Sequence, residues 1–212
     1  MTIEQKWELL LSQLRGLDSA VIAYSGGVDS SLLLRAASEA LGPRLIAVTA
    51  VSETYPAAEL PVAEAFARSL GVQHRILRTE ELSSEPFVRN SPERCYHCKK
   101  ELFEKLNRLA AAEGGAAVLE GSNLDDLRDR RPGRKASQEL GDRSPLVDAG
   151  LAKAEVRELA RRLELPAWDK PSLACLSSRV PFGTRITPAI LQTIQTAEDL
   201  LHGLGFRQVR VR

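Results

Sequence analysis

Ser19-Ala20-Val21-Ile22-Ala23-Tyr24-Ser25-Gly26-Gly27-Val28-Asp29-Ser30 carries an apolar run through a Ser-Gly-Gly turn into a helical pattern. The run before Ser25 reads as a short buried strand, and residues 30–41 read as a helix with Leu32, Leu33, Leu34 and Ala37 inward. A strand, a glycine turn and a helix start present unpaired backbone N–H groups to an anion. The two glycines permit φ > 0 and a close approach of phosphate to the main chain. The helix dipole favours negative charge at the same end. Ala23, Ser25, Gly26, Gly27, Val28, Asp29 and Ser30 are therefore the candidate phosphate cradle, with Asp29 able to hold a metal-bound water and Ser30 offering a hydroxyl. No Lys lies in the stretch, so it is not a Walker loop. The plainer reading is a strand-to-helix turn whose Ser and Asp only cap the helix.

Outward from the cradle, residues 44–51, 72–77 and 116–120 read as further strands, and 59–70, 98–113 and 152–163 as helices. Strands alternating with helices of this length predict an α/β fold, a parallel sheet flanked by helices, with ligands beyond the carboxyl ends of the strands. A boundary is expected near residues 167–187, where Pro171, Pro181 and Gly183 interrupt any period. This divides the chain into a nucleotide domain, 1–170, and residues 171–212, a cysteine loop and the start of a small C-terminal region. Residues 188–201 read as a helix, and 206–212 alternate like a strand that would continue into that region.

The chain has 212 residues, 43% hydrophobic and 27% charged, enough for one medium domain with a small appendage. A formal charge of +1 gives no global field to recruit nucleic acid or an anionic membrane. No apolar run reaches the length of a membrane span. Residues 1–17 read as an amphipathic helix, not a signal peptide, because Glu4 and Glu8 interrupt the apolar positions. Three cysteines without an export signal predict a reducing cytoplasm, and an odd count there points to metal or catalysis before disulfides.

Three stretches carry chemistry. Gly121-Ser122-Asn123-Leu124-Asp125-Asp126 ends a strand in small and polar groups, where Gly121, Ser122, Asn123 and Asp125 can meet a nucleotide or Mg²⁺. Cys95-Tyr96-His97-Cys98 is a C-x-x-C immediately before a helix, able to bind one metal or cluster or to act as a redox pair. Arg94, Lys99 and Lys100, with the helix start, should favour thiolates there. Cys175, in Ala174-Cys175-Leu176-Ser177-Ser178-Arg179-Val180-Pro181, has small, hydroxyl and cationic neighbours suited to a reactive thiol, or else is a small buried hydrophobe. Three cysteines, two at x-x spacing and one remote, match a cluster with one iron left open. His74, His97 and His202 read as structural or surface histidines. The Arg128–Lys135 run hangs off the ligand edge and suits phosphate or carboxylate, but it offers no aromatic for base stacking.

Ser25-Gly26-Gly27-Val28-Asp29-Ser30 resembles the PP-loop of the ATP pyrophosphatases. Taken with residues 120–126, Pro145-Leu146, Lys153-Ala154-Glu155-Val156-Arg157 and residues 170–183, the chain resembles the LarE family of ATP-dependent sulfur transferases over most of its length. The resemblance implies the adenine nucleotide alpha hydrolase-like fold. It also implies adenylylation of a carboxylate of pyridinium-3,5-biscarboxylic acid mononucleotide by ATP with Mg²⁺, then conversion to a thiocarboxylate. By the same resemblance Cys95, Cys98 and Cys175 would hold a [4Fe–4S] cluster; the alternative is that Cys175 surrenders its own sulfur. Catalytic roles fall to Cys175, Asp29, Ser178 and Arg179, with Ser178, Arg179 and the 130–134 loop as candidate contacts to substrate. An oligomer of identical subunits and an unnamed sulfur donor are expected. The rival readings are a tRNA-thiolating PP-loop enzyme, which requires a local basic face, an amidotransferase, which has no role for three cysteines, and a non-catalytic nucleotide sensor.

Overall fold

In the computed structural model, which describes residues 1–127, 132–171 and 174–212, four parallel strands form one sheet. They are β1 (Ala20–Ala23), β2 (Leu45–Val51), β3 (Gln73–Arg78) and β4 (Ala117–Leu119), in the order β3-β2-β1-β4. Helices α1 (Ile3–Arg15), α2 (Val28–Leu41), α3 (Glu59–Ser69), α4 (Glu85–Val88) and α5 (Arg94–Ala112) occupy the first half of the chain. Helices α6 (Pro132–Glu139), α7 (Pro145–Asp148), α8 (Lys153–Arg162) and α9 (Pro188–Gly203) follow.

The pleat of β1 distributes its side chains to two cores. Ala20 and Ile22 join Leu10, Leu32, Leu33, Leu146 and Val156, a cluster built from α1, α2, α7 and α8. Val21 points to the other face, with Ile46, Val118, Phe103 and Leu106, where α5 covers the sheet. Both faces are therefore buried, which is why β1 and β2 are nearly unbroken runs of apolar residues. Each fully buried Leu contributes about 1.5–3 kcal/mol of burial free energy, so these two clusters hold the strand ends in place.

Chain order reverses across β1, since β2 pairs on one side of it and β4 on the other. That switch point is where an open α/β sheet leaves a crevice at its carboxyl edge. The β4 edge is extended by Arg143, whose N–H donates to Val118 O at 2.9 Å and whose carbonyl accepts from Glu120 N at 2.9 Å. A third, smaller cluster joins α4 to residues beyond 175 through Phe87, Val88, Leu176, Val180, Ile186 and Leu191. Among the described residues no helix is long and apolar enough to cross a membrane.

Besides the start of α5, which comes at Arg94 and not at residue 98, two segments differ from the sequence expectation. Residues 206–212 form no strand: alternation supplies the side-chain pattern, but a strand needs a ladder partner. Here the Val211 N–H donates instead to the Glu198 carboxylate at 3.0 Å, folding the segment back on α9. The described part of the basic run, from Pro132, is the first turn of α6 and not a loop; its earlier part, residues 128–131, lies outside the described residues.

Candidate active site

The cradle forms where α2 begins. Gly26 has φ +77°, the left-handed turn that a glycine takes without strain. Gly27 does not share it; it is the N-cap of α2 at φ −78°. The Ser30 hydroxyl organises the loop from inside, accepting from Ser25 N at 3.3 Å and donating to Gly27 O at 3.1 Å. The expected free hydroxyl donor is thus already engaged. Gly121 brings the end of β4 against this turn: a Cβ there would lie 3.0 Å from Ser30 N and 3.1 Å from Ser30 Cα.

Asp29 does not stand alone at the helix start. Asn123 Nδ2 donates to Oδ1 at 3.0 Å, and Lys153 Nζ pairs with Oδ2 at 2.5 Å. Asp125 is turned away to α8, where its carboxylate accepts from Lys153 N at 2.7 Å. On the other flank of the cradle Lys170 forms an ion pair with Glu59, and Tyr55 Oη donates to Ser25 O at 3.4 Å. Burial, reinforced by Glu59, raises the Tyr55 phenol above its ordinary value, so it stays a neutral donor.

A cavity of about 950 Å³ opens above these groups. Ala23, Val48, Ala50, Leu102 and Phe103 make its apolar side, while Ser25, Asp29, Ser30, Glu120 and Ser122 make its polar side. Glu120 is buried and accepts hydrogen bonds from Ser122 Oγ and Ser144 Oγ. A second cavity of about 320 Å³ adjoins it, lined by Cys95, Cys98 and Cys175 together with Glu81 and Arg94.

Helix α5 begins at Arg94, so the C-x-x-C lies inside its first turns and not before it. Spacing of i, i+3 then puts both thiols on one helix face. The expectation of ready thiolates is corrected by burial, which raises the Cys98 thiol, with nearby Glu81 adding to the effect. Burial likewise raises Cys175. Two of the cations named for that role, Arg94 and Lys99, do line the same cavity, but Arg94 is engaged by Asn90 Oδ1 and Ser177 O, and Lys99 lies over the Phe103 ring, so burial outweighs them.

Arg179 and Ser178 hold the Cys175 turn. The Arg179 guanidinium is buried against Glu198, and its Nη1 donates to Ala174 O at 2.7 Å, Cys175 O at 3.2 Å and Ser178 Oγ at 3.0 Å. It is engaged in shaping the loop and does not line either cavity. Asn90 ties the turn to α5, its Nδ2 donating to Val180 O at 3.2 Å, Pro181 O at 2.8 Å and Thr184 O at 3.0 Å. His74 is bonded to Thr49 and His202 to Phe206 O, while His97 is half-buried with its ring edge-on to Tyr96.

The Asparagine synthase family model matches residues 12–110, the segment that carries the cradle and both cysteines of the C-x-x-C. Glutamine-dependent NAD⁺ synthetase from Acinetobacter baumannii, solved in complex with ADP, superposes with a TM-score of 0.60 at 24% identity. The match covers 76% of this chain and 33% of that one. An uncharacterized protein of Synechocystis is 46% identical over 210 residues, 99% of this chain and 78% of its own length. Pyridinium-3,5-bisthiocarboxylic acid mononucleotide synthase of Lactiplantibacillus plantarum, a LarE protein, is 39% identical over 212 residues, 100% of this chain and 77% of that protein. The chain belongs to the LarE family.

In this LarE-family chain the side chains that sequence reasoning missed as members of the site are Tyr55, Glu59, Glu120, Lys153 and Lys170, and Lys99 was read only as a neighbour of the cysteines. Lys153 and Lys170 lie in stretches that carry the LarE resemblance, but no local pattern says that they flank a turn more than a hundred residues earlier. As for a cluster, the donors fit in kind, since three cysteine sulfurs line one cavity. Among the described residues, no three His, Cys, Asp or Glu groups are arranged to hold a metal ion as they stand. The thiols are therefore a candidate set, not a formed centre.

Proposed function

We propose that this LarE-family protein is an ATP-dependent sulfurtransferase that adenylylates a carboxylate of pyridinium-3,5-biscarboxylic acid mononucleotide and converts it to a thiocarboxylate. The observation that carries the reading is the shared wall: Ser25 and Gly27 of the cradle line both the large cavity and the three-cysteine cavity. Activation at phosphorus and delivery of sulfur then take place within one continuous space.

MgATP enters with its pyrophosphate end on the Ser25–Ser30 turn and its adenine against Ala23, Val48 and Ala50. The substrate carboxylate attacks the α-phosphorus, an O–P bond forms, and pyrophosphate leaves with the electron pair of the broken P–O bond. Lys153 and Lys170 exchange their carboxylate partners for phosphate oxygens and neutralise the leaving group. Sulfur then attacks the acyl carbon and AMP departs. Cys95, Cys98 and Cys175 would hold a [4Fe–4S] cluster, which when bound supplies an open iron for sulfide. Arg179 and Ser178 keep the Cys175 turn in place. An unnamed sulfur donor and a homo-oligomeric assembly complete the proposal, with residues 1–170 as the nucleotide domain and 171–212 as the loop of Cys175 and the start of a C-terminal region.

The test is anaerobic purification followed by ATP and the pyridinium dicarboxylate. Pyrophosphate release that requires the substrate, with oxygen replaced by sulfur in the product mass, is the expected result. Iron content lost alike in Cys95→Ala, Cys98→Ala and Cys175→Ala supports the cluster. A colourless protein whose Cys175 loses the elements of H₂S in one turnover replaces it with the sacrificial cysteine. ATP binding without pyrophosphate release on adding the substrate would overturn the enzymatic reading.

A further inference from the structure

Of the described residues that line both cavities, Lys99 alone carries a charge. It differs from the other two lysines at the site. Lys153 and Lys170 each sit on a carboxylate beside the cradle, whereas Lys99 has its ammonium 5.0 Å from the Phe103 ring centroid and no ion pair with another described residue. Its stem is held by backbone. At Gly133 of α6 a Cβ would lie 2.8 Å from Lys99 Cγ and 3.2 Å from Cys95 O, so only a glycine lets α6 close on this side chain. A cation on the wall shared by the two cavities, with its stem braced by a second helix, is a preorganised site for an anion.

The reaction demands such a group. A carboxylate attacking the α-phosphorus of ATP brings two anions together, and charge accumulates on the non-bridging α-oxygens as the O–P bond forms and the bond to pyrophosphate breaks. No proton moves in this step. Lys153 and Lys170 neutralise the pyrophosphate that leaves; the α-phosphate remains behind in the acyl-adenylate and needs its own cation. Resting on the adenylylation reading above, we propose that Lys99 is a catalytic residue that binds the α-phosphate of ATP and of the acyl-adenylate at the passage between the two cavities.

The test compares calorimetric affinities for AMP and adenosine, which need no acyl acceptor, and then measures pyrophosphate release with the pyridinium dicarboxylate. The wild type is expected to bind AMP more tightly than adenosine. Lys99→Met should weaken AMP roughly 10–100-fold while leaving adenosine unchanged, and Lys99→Arg should restore most of the difference. Pyrophosphate release should fall roughly 10²–10³-fold in Lys99→Met. Gly133→Ala, which displaces the stem without removing the charge, should weaken AMP selectively as well. An AMP preference that is missing in the wild type or survives in Lys99→Met overturns the proposal. Absence of pyrophosphate release from the wild type, with the AMP difference intact, overturns the substrate reading and leaves the role of Lys99 standing.

Discussion

Asp142 adjoins the site, its N–H donating to the carbonyl of Ser137, which lines the large cavity. Its Oδ1 accepts from Asn107 Nδ2 at 3.2 Å, but its Oδ2 is buried without a partner. Burial pushes this carboxyl up to about 7, with the Glu120 charge acting in the same direction. An acid whose folded pKa exceeds its unfolded value binds its proton more tightly when folded, so stability declines as pH rises between the two values. The window here runs from about 4, the ordinary carboxylate value, to about 7. Asp142→Asn keeps the acceptor for Asn107 and removes the charge. Urea unfolding should show it more stable than the parent at pH 8, by on the order of 1 kcal/mol after solvent screening, with the gap closing toward pH 4. A gap that stays constant with pH would mean that Asp142 does not titrate in this way.

Elements meet at the cradle with little room to spare. The end of β4 passes the first turn of α2 so closely that a methyl group on Gly121 would strike Ser30 backbone atoms. Backbone cannot yield as a flexible side chain does, so Gly121→Ala has to displace either the turn or the strand end. ATP affinity is expected to fall roughly tenfold or more in isothermal titration, while far-UV circular dichroism stays that of the parent. Unchanged affinity would show that the close approach does not position the phosphate. The same scale corrects the C-x-x-C: once Arg94 starts α5, the two cysteines become neighbours on a helix face.

At the scale of the whole molecule, two segments far apart in the chain must keep register if three thiols are to share a cavity. Asn90 does much of this. It is fully buried at φ +56° and donates to three carbonyls of residues 180–184, while Arg94 reaches Ser177 O at 2.8 Å. Asn90→Ala removes three hydrogen bonds, the one to the buried Val180 among them, and leaves Arg94 without its Oδ1 partner, a loss of roughly 2–4 kcal/mol. Thiol labelling in the native state should speed up at Cys98 and Cys175, and thermal unfolding should move to lower temperature. Labelling at the parent rate would place the register elsewhere.

Much of the fold was legible because its signals are local. The apolar runs of β1 and β2, the glycine turn at Ser25–Ser30 and the leucines of α2 act through neighbours in sequence, where periodicity and backbone freedom are decided. The C-x-x-C spacing was legible for the same reason. Residues 206–212 were misread because alternation says nothing about whether a ladder partner exists. Arg179 was taken as a substrate contact, yet it is buried on Glu198, a partner nineteen residues away. By itself the sequence determined a strand, a glycine turn, a helix and the spacing of three cysteines. Only the tertiary structure decided that Lys153 sits on Asp29, that Lys170 sits on Glu59, and that Cys175 faces the cavity of Cys95 and Cys98. Each of these contacts closes a long loop of chain. The free energy that does so comes from burying the clusters on both faces of the sheet, a property of the assembled molecule and of no segment within it.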